Sequence, residues 1–279
     1  MSRQSATPRA RALGFGIRRA RLARRLGVRE LGRLTDLVPQ NISSWESGKR
    51  VPKLEELATI LGALRVEPGK REQLLNLARS AHEASWLGQY TLSGPTQLVT
   101  YLEYERAASS VFNWSPGLLP GLLQTPAYMK TIFAATARPK RDVDEHIMVR
   151  LARRELLTGR NPLQYQAVLS EAVLRQNMGG PAVMAEQLRH LRSTMRLRNV
   201  SVRILPDGIG YHPGQYGPFI VFRYDDSPPV VYLEHYRSSA YLEHDATGYG
   251  RAVEILWSLA LGEQDSERRI EQVIADLAA

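Results

Sequence analysis

The 279-residue chain has no cysteine. That excludes disulfides, thiolate metal sites and cysteine nucleophiles, and it suits a reducing compartment. The chain also has no apolar run near the ~20 residues that a bilayer span requires. Its first residues, MSRQSATPRARALG, lack the apolar core of a secretory signal, so a cytoplasmic protein with no membrane role is expected. Catalytic signatures are missing too. There is no Gly-x-Ser-x-Gly elbow, no Walker loop and no His-Glu-x-x-His, and Gly14-Phe15-Gly16 lacks both the third glycine and the βα unit of a dinucleotide fold. The expectation is therefore no catalytic residue, no cofactor and no resident metal.

What remains is ordinary globular material, 43% hydrophobic and 23% charged, long enough for two cored domains. The charge is unevenly placed. Residues 1–80 carry 17 Lys and Arg against 7 Asp and Glu, whereas residues 81–279 carry 20 against 21, so the net +9 lies in the first 80 residues. A basic segment joined to a neutral one points to a polyanion at one end and a different task at the other. A solvated basic face is the plainer reading of the same charge.

Residues 1–8 have no periodicity and read as a disordered arm. Leu13, Ile17, Ala20 and Leu22 then recur at helical spacing from Arg9 to about Gly27, opposite arginines 18, 19, 21, 24 and 25. Short helices follow over about 28–34, 39–47, 54–61 and 68–81. Pro39 suits a first helical position, Gly48 a C-terminal stop, and Gly62 the end of the fourth helix. We read 9–82 as an all-α, five-helix domain, 83–100 as a connector, and 101–279 as a larger α/β (α+β) domain with a mixed sheet. In that second part residues 101–114, 126–137, 142–158, 181–197, 246–262 and the C-terminus read as helices. LQYQAVLS, VSVRILP, PFIVFRY and PVVYLEHY read as strands.

The informative stretch is LGVRELGRLTDLVPQNISSWESGKRVPK, residues 26–53. A helix-turn-helix needs two short helices, a tight turn and an outward face of short polar residues on the second helix. Leu31, Leu34, Leu37, Ile42 and Trp45 supply apolar contacts. Asp36 falls where the turn must bend sharply, and Asp tolerates a left-handed backbone better than most residues. Gln40, Asn41, Ser43 and Ser44 face outward; Gln and Asn pair bidentately with adenine, and Ser meets base or phosphate. Lys49, Arg50 and Lys53 follow where flanking phosphates would lie. Trp45 reads as core, and Glu46 as a structural partner of an arginine or a backbone group.

This segment resembles the phage-repressor (Cro/repressor-like, XRE-type) helix-turn-helix family over about residues 12–80, through its inner leucines, the Ile-Ser-Ser-Trp-Glu-Ser-Gly-Lys run at 42–49, and Pro52. The resemblance implies that Gln40, Asn41 and Ser44 read bases and that Lys49 and Arg50 hold the backbone. Val28 stands where the family often has a phosphate-touching Gln, with Arg29 beside it as a substitute; Asp36 stands where the turn residue is commonly Gly. Further on, YLEYERAASSVFNWSPGLLPGLLQTPAY, LSEAVLRQNMGG, VRILPDGIGYH and VVYLEH resemble the C-terminal domain of antitoxin-like regulators common in actinobacteria, the group that includes WhiJ-like proteins.

The resemblance implies a nucleoid-associated transcriptional regulator. It would bind a palindromic operator in double-stranded DNA as a homodimer, and a small acidic partner protein or a small-molecule ligand would control it through its C-terminal domain. The alternative is an antitoxin-like protein that sequesters a partner and autoregulates its operon. Weaker candidates lie in the second domain. His235 and His244 suggest metal but read better as surface residues; Arg150, Arg153 and Arg154 suit an anion or a charged helix face; Glu171, on a strand near Arg175, reads as a structural contact; and Phe112, Trp114 and Tyr128 form a core cluster or line a pocket.

Overall fold

The computed structural model describes residues 7–81, 88–89, 95–134, 140–235, 238–242 and 246–278. The chain divides into two compact units, one of residues 1–108 with 234–242 and one of 109–233 with 243–279.

The N-terminal unit contains α1 (Pro8–Ala23), α2 (Val28–Thr35), α3 (Pro39–Glu46), α4 (Leu54–Ala63) and α5 (Pro68–Arg79). It also contains a short antiparallel ribbon of β1 (Gly88–Gln89) with β7 (Ser238–Leu242), and α6 (Pro95–Ala107). Ala12, Leu13, Ile17, Leu31, Ile42, Leu57, Ile60, Leu61, Leu74 and Leu77 form its buried core. These are the inward positions of helices that are polar on their other faces, which is why so short a segment can be cored at all. Of the stretch read as an arm at 1–8, Thr7 and Pro8 belong to the start of α1. Thr7 caps α1 by accepting the Ala10 N–H at 3.1 Å and donates to the Ala81 carbonyl at 2.6 Å; residues 1–6 lie outside the described residues. Gly62 does not stop α4, which runs on to Ala63; the turn is made by Arg65, whose φ of 50° is left-handed.

The largest departure concerns α6. It covers the end of the expected connector and the start of the expected second domain, yet it packs along α1 and α5 in the N-terminal unit. Tyr104 is fully buried, edge-on to Phe15 and stacked on Tyr241 at 4.8 Å. Glu103 has no exposed surface and meets Arg19 at 2.9 Å, Lys70 at contact distance and Arg106 at 3.7 Å. Burial alone would push the Glu103 carboxyl up, but the charges of Arg19 and Lys70 outweigh it and hold the group below its ordinary value.

The C-terminal unit contains β2 (Ser110–Ser115), α7 (Pro126–Ala134), α8 (Lys140–Ala152), α9 (Glu155–Thr158), β3 (Gln164–Ser170), α10 (Glu171–Leu174), α11 (Pro181–Met195), β4 (Val200–Leu205), β5 (Phe219–Arg223), β6 (Val230–Glu234), α12 (Ala246–Leu259) and α13 (Glu263–Ala278). Its sheet has the order β6-β5-β2-β3-β4, parallel across β2-β3-β4 and antiparallel across β2-β5-β6. The fold class is thus an N-terminal helical region of five helices, α1–α5, followed by an α/β domain with a mixed sheet, with α6 packed on the first region. The expected helix over 101–114 ends at Ala107, and VFNW instead forms the central strand β2, where Phe112 and Trp114 are buried. The β-branched and aromatic run, sandwiched between two neighbouring strands, overrides its helical spacing. At the β4 edge, the Ser266 hydroxyl accepts the Ile204 N–H at 2.9 Å and the Leu261 N–H bonds the Ile204 carbonyl at 2.8 Å, so α12 and α13 close an edge that would otherwise pair with another chain.

Replacing Glu103 with Gln removes one charge from a buried set and leaves Arg19 and Lys70 uncompensated. The expected cost is about 3 kcal/mol in denaturant unfolding at neutral pH. Because the folded carboxyl is held low, its contribution is complete above the ordinary value of 4.5 and is lost as pH falls through the lower folded value. Glu103→Gln should therefore lack that part of the acid limb of the stability profile.

Candidate nucleic-acid interface

α2 and α3 are joined by three residues. Asp36 takes φ 56° and ψ 34°, as the bend demands, and its N–H and that of Leu37 both reach the Gly32 carbonyl. Pro39 occupies the first turn of α3, with Val38 extended before it. Ile42 and Trp45 are buried and fix the inner face. Leu34, expected among the apolar contacts, is instead 59% exposed, because α2 turns Leu31, Gly32 and Thr35 inward and Leu34 falls outside that face. Leu22 is exposed for a similar reason, lying on the outer face of the last turn of α1.

α3 is pinned to α1 by a buried ion pair. Arg21 Nε and Nη2 donate to the two carboxylate oxygens of Glu46, both at 2.7 Å, and Nη1 donates to the Leu26 carbonyl at 2.7 Å. The bond to Glu46 raises the Arg21 guanidinium above its ordinary value, so it stays charged although buried. The helices approach closely. A Cβ on Gly14 would stand 2.5 Å from the carbonyl oxygens of Trp45 and Glu46, and one on Gly48 would stand 2.7 Å from the Arg11 Cα. Gly48 also has φ 71°, so it ends α3 in a conformation that side chains resist.

On the outer face Gln40 and Ser43 are exposed, and Asn41 and Ser44 half-buried. Lys49 and Arg50 stand exposed just past Gly48, Lys53 at the start of α4, and Arg29 in the first turn of α2. Among the described residues, the side chains of Arg29, Gln40, Ser43, Lys49 and Lys53 make no hydrogen bond or ion pair. Among the described residues the one side-chain contact within the set is long: Arg50 Nη1 donates to Asn41 Oδ1 at 3.5 Å. The structure thus places Gln40, Asn41, Ser43 and Ser44 on α3 and Lys49, Arg50 and Lys53 in the stretch that follows it, whereas Arg29 lies apart in the first turn of α2.

The arginine run of α1 behaves differently from a plain solvated face. Arg21 is paired with Glu46, Arg19 with Glu103, and Arg24 Nε donates to the Leu64 carbonyl at 2.7 Å. Three of its five arginines therefore hold the unit together. The sequence anticipates an arginine partner for Glu46 but misses Glu103. Nothing in the local spacing of YLEYERA separates that carboxylate from its exposed neighbours.

In the C-terminal unit Phe112, Trp114 and Tyr128 are buried core. Arg150 and Arg154 grip the loop before α7: Arg150 donates to the Gln124 side chain at 3.1 Å and Arg154 to its carbonyl. Glu171 opens α10 instead of lying on a strand, and it accepts bonds from Arg269 and the Asp207 N–H. His235 is exposed, and His244 lies outside the described residues. Among the described residues, no three His, Asp or Glu side chains converge as a metal would require, and no helix is long and apolar enough to cross a membrane. A polar surface crevice of about 470 Å³ opens beside Gln164, Gln166, Arg196, Arg198 and Glu263, none of them a sequence-read candidate.

Two family models match the chain. Residues 17–70 match a helix-turn-helix family, and residues 98–272 match a domain of unknown function, DUF5753. No curated protein and no solved structure matches it.

A glutamine in place of Glu46 should cost about 3–5 kcal/mol, because it leaves the Arg21 charge buried and unpaired. The double replacement Arg21→Met with Glu46→Leu should recover most of that loss, since packed apolar side chains substitute well for a buried pair. Denaturant midpoints of the two variants against the parent check both statements; equal losses in the single and double variants would contradict them.

Proposed function

Since the chain belongs to the DUF5753 family and carries a helix-turn-helix ahead of that domain, we propose that it is a sequence-specific transcriptional regulator that reads a palindromic operator as a homodimer. The single observation that carries this is the outer face of α3. Its Gln, Asn and Ser side chains stand on a helix locked by a buried ion pair, and three exposed cations flank it. In the proposal Gln40, Asn41 and Ser44 face base edges, Ser43 meets base or phosphate, and Arg29, Lys49, Arg50 and Lys53 contact phosphates. One recognition helix reads only a few base pairs, which favours a two-fold pair of them.

The neutral C-terminal domain takes the controlling partner, a small acidic protein or a small ligand, and supplies the dimer surface. The separation of charge supports this division, since the whole basic surplus lies in residues 1–80. The WhiJ-like, antitoxin-like assignment of this domain belongs to the same proposal and rests on its YLEYERAASSVFNW and VRILPDGIGYH runs.

Binding titrations on DNA selected by the protein from a random library test the assignment. Gln40→Ala and Asn41→Ala should each lose ~1–3 kcal/mol on the selected site and relax preference there. Lys49→Ala should weaken selected and random DNA alike and reduce the salt slope by about 1. Full affinity and unchanged preference in the Gln40 and Asn41 variants would remove them from the base-reading set.

A further inference from the structure

α3 stands apart from the other helices of α1–α5. Thr7 caps α1 and Glu67 caps α5, while Glu30 and Glu56 reach back to the N-terminal N–H groups of α2 and α4. The N-cap of α3 is Val38, which makes no side-chain cap bond. Its backbone is that of a regular N-cap, extended, with the carbonyl accepting the Asn41 N–H at 3.0 Å and the Ile42 N–H at 3.3 Å. Only the side chain breaks the rule. The extended backbone before Pro39 suits a β-branched residue, but threonine would satisfy that and also cap the helix. Valine gives up the cap and leaves an apolar side chain 55% exposed, two residues ahead of Gln40.

We propose that Val38 is a specificity-determining residue that packs on the C5 methyl of a thymine beside the base pair met by Gln40. In the major groove an exposed apolar side chain has one apolar mark to read, the thymine methyl, which uracil lacks. Paired with Gln40 on adenine, it biases the start of α3 toward A·T steps. This inference rests on the DNA-reading proposal above and names one contact within it.

The test uses the full-length protein and the site it selects from a random DNA library. Each thymine of that site is replaced singly by deoxyuridine, and affinity is measured at fixed salt for the parent, Val38→Ala and Val38→Ser. One deoxyuridine position should weaken the parent about four-fold, the effect of one buried methyl at ~0.8 kcal/mol. At that position both variants should be indifferent to the methyl. Val38→Ser should also melt at the same or a higher temperature, because it restores a cap; a structural role for Val38 would lower it. A flat deoxyuridine profile for the parent, or a methyl effect that survives in both variants, overturns the inference while leaving DNA reading intact. Failure to select any sequence overturns the DNA-reading proposal and this inference with it.

Discussion

The bidentate bond between Arg21 and Glu46 is the constraint on which the N-terminal unit turns. It joins the last turn of α1 to the last turn of α3, out of water, with all three guanidinium nitrogens bonded. An eight-residue helix is far too short to persist by itself. α3 stands because Ile42 and Trp45 are buried beneath it, because Glu46 is anchored, and because Gly14 and Gly48 let α1 come close. The outward face is the consequence: once residues 42, 45 and 46 are committed inward, Gln40 and Ser43 have only solvent or a partner to face.

The electrostatics follow the same division. A basic sequence need not be a basic surface, and here part of the charge is internal. Arg19, Lys70 and Arg106 surround the buried Glu103 of α6, and Arg24 is spent on carbonyl groups of the α4–α5 turn. Among the described residues of this unit the uncommitted exposed cations include Arg29, Lys49 and Lys53 beside α2 and α3, and also Arg25, Arg33, Arg65 and Arg71. The same carboxylate makes α6 a working part of the N-terminal unit, although it belongs in sequence to the matched region 98–272.

Much of this was legible in the residues, for identifiable reasons. The helix-turn-helix is a local object: Asp36 at the bend, Pro39 at a helix start and Gly48 at a helix end each announce a backbone conformation, and the structure has all three. The strands β3 to β6 announce themselves through β-branched runs between turns. What escaped was set by distant partners. Residues 110–115 become a central strand because β3 and β5 flank them, against a helical spacing that begins in α6. Leu34 looked like core because it is apolar and one turn from Leu31, but the buried face of α2 is Leu31, Gly32 and Thr35, and Leu34 falls outside it. Of the candidate site, the placement of Gln40, Asn41, Ser43 and Ser44 on a short second helix was legible, and so was an arginine partner for Glu46; the engagement of Arg19 was not, because its carboxylate is 84 residues away in sequence.

The most direct test is the affinity of the intact protein for DNA selected from a random library, measured against random DNA of equal length over a salt series. The account predicts a preference of about 10³ or more that persists as salt rises, because base contacts add to the phosphate term. Equal, weak binding to both DNAs, lost steeply with salt, would contradict it and would reduce the N-terminal unit to an electrostatic anchor.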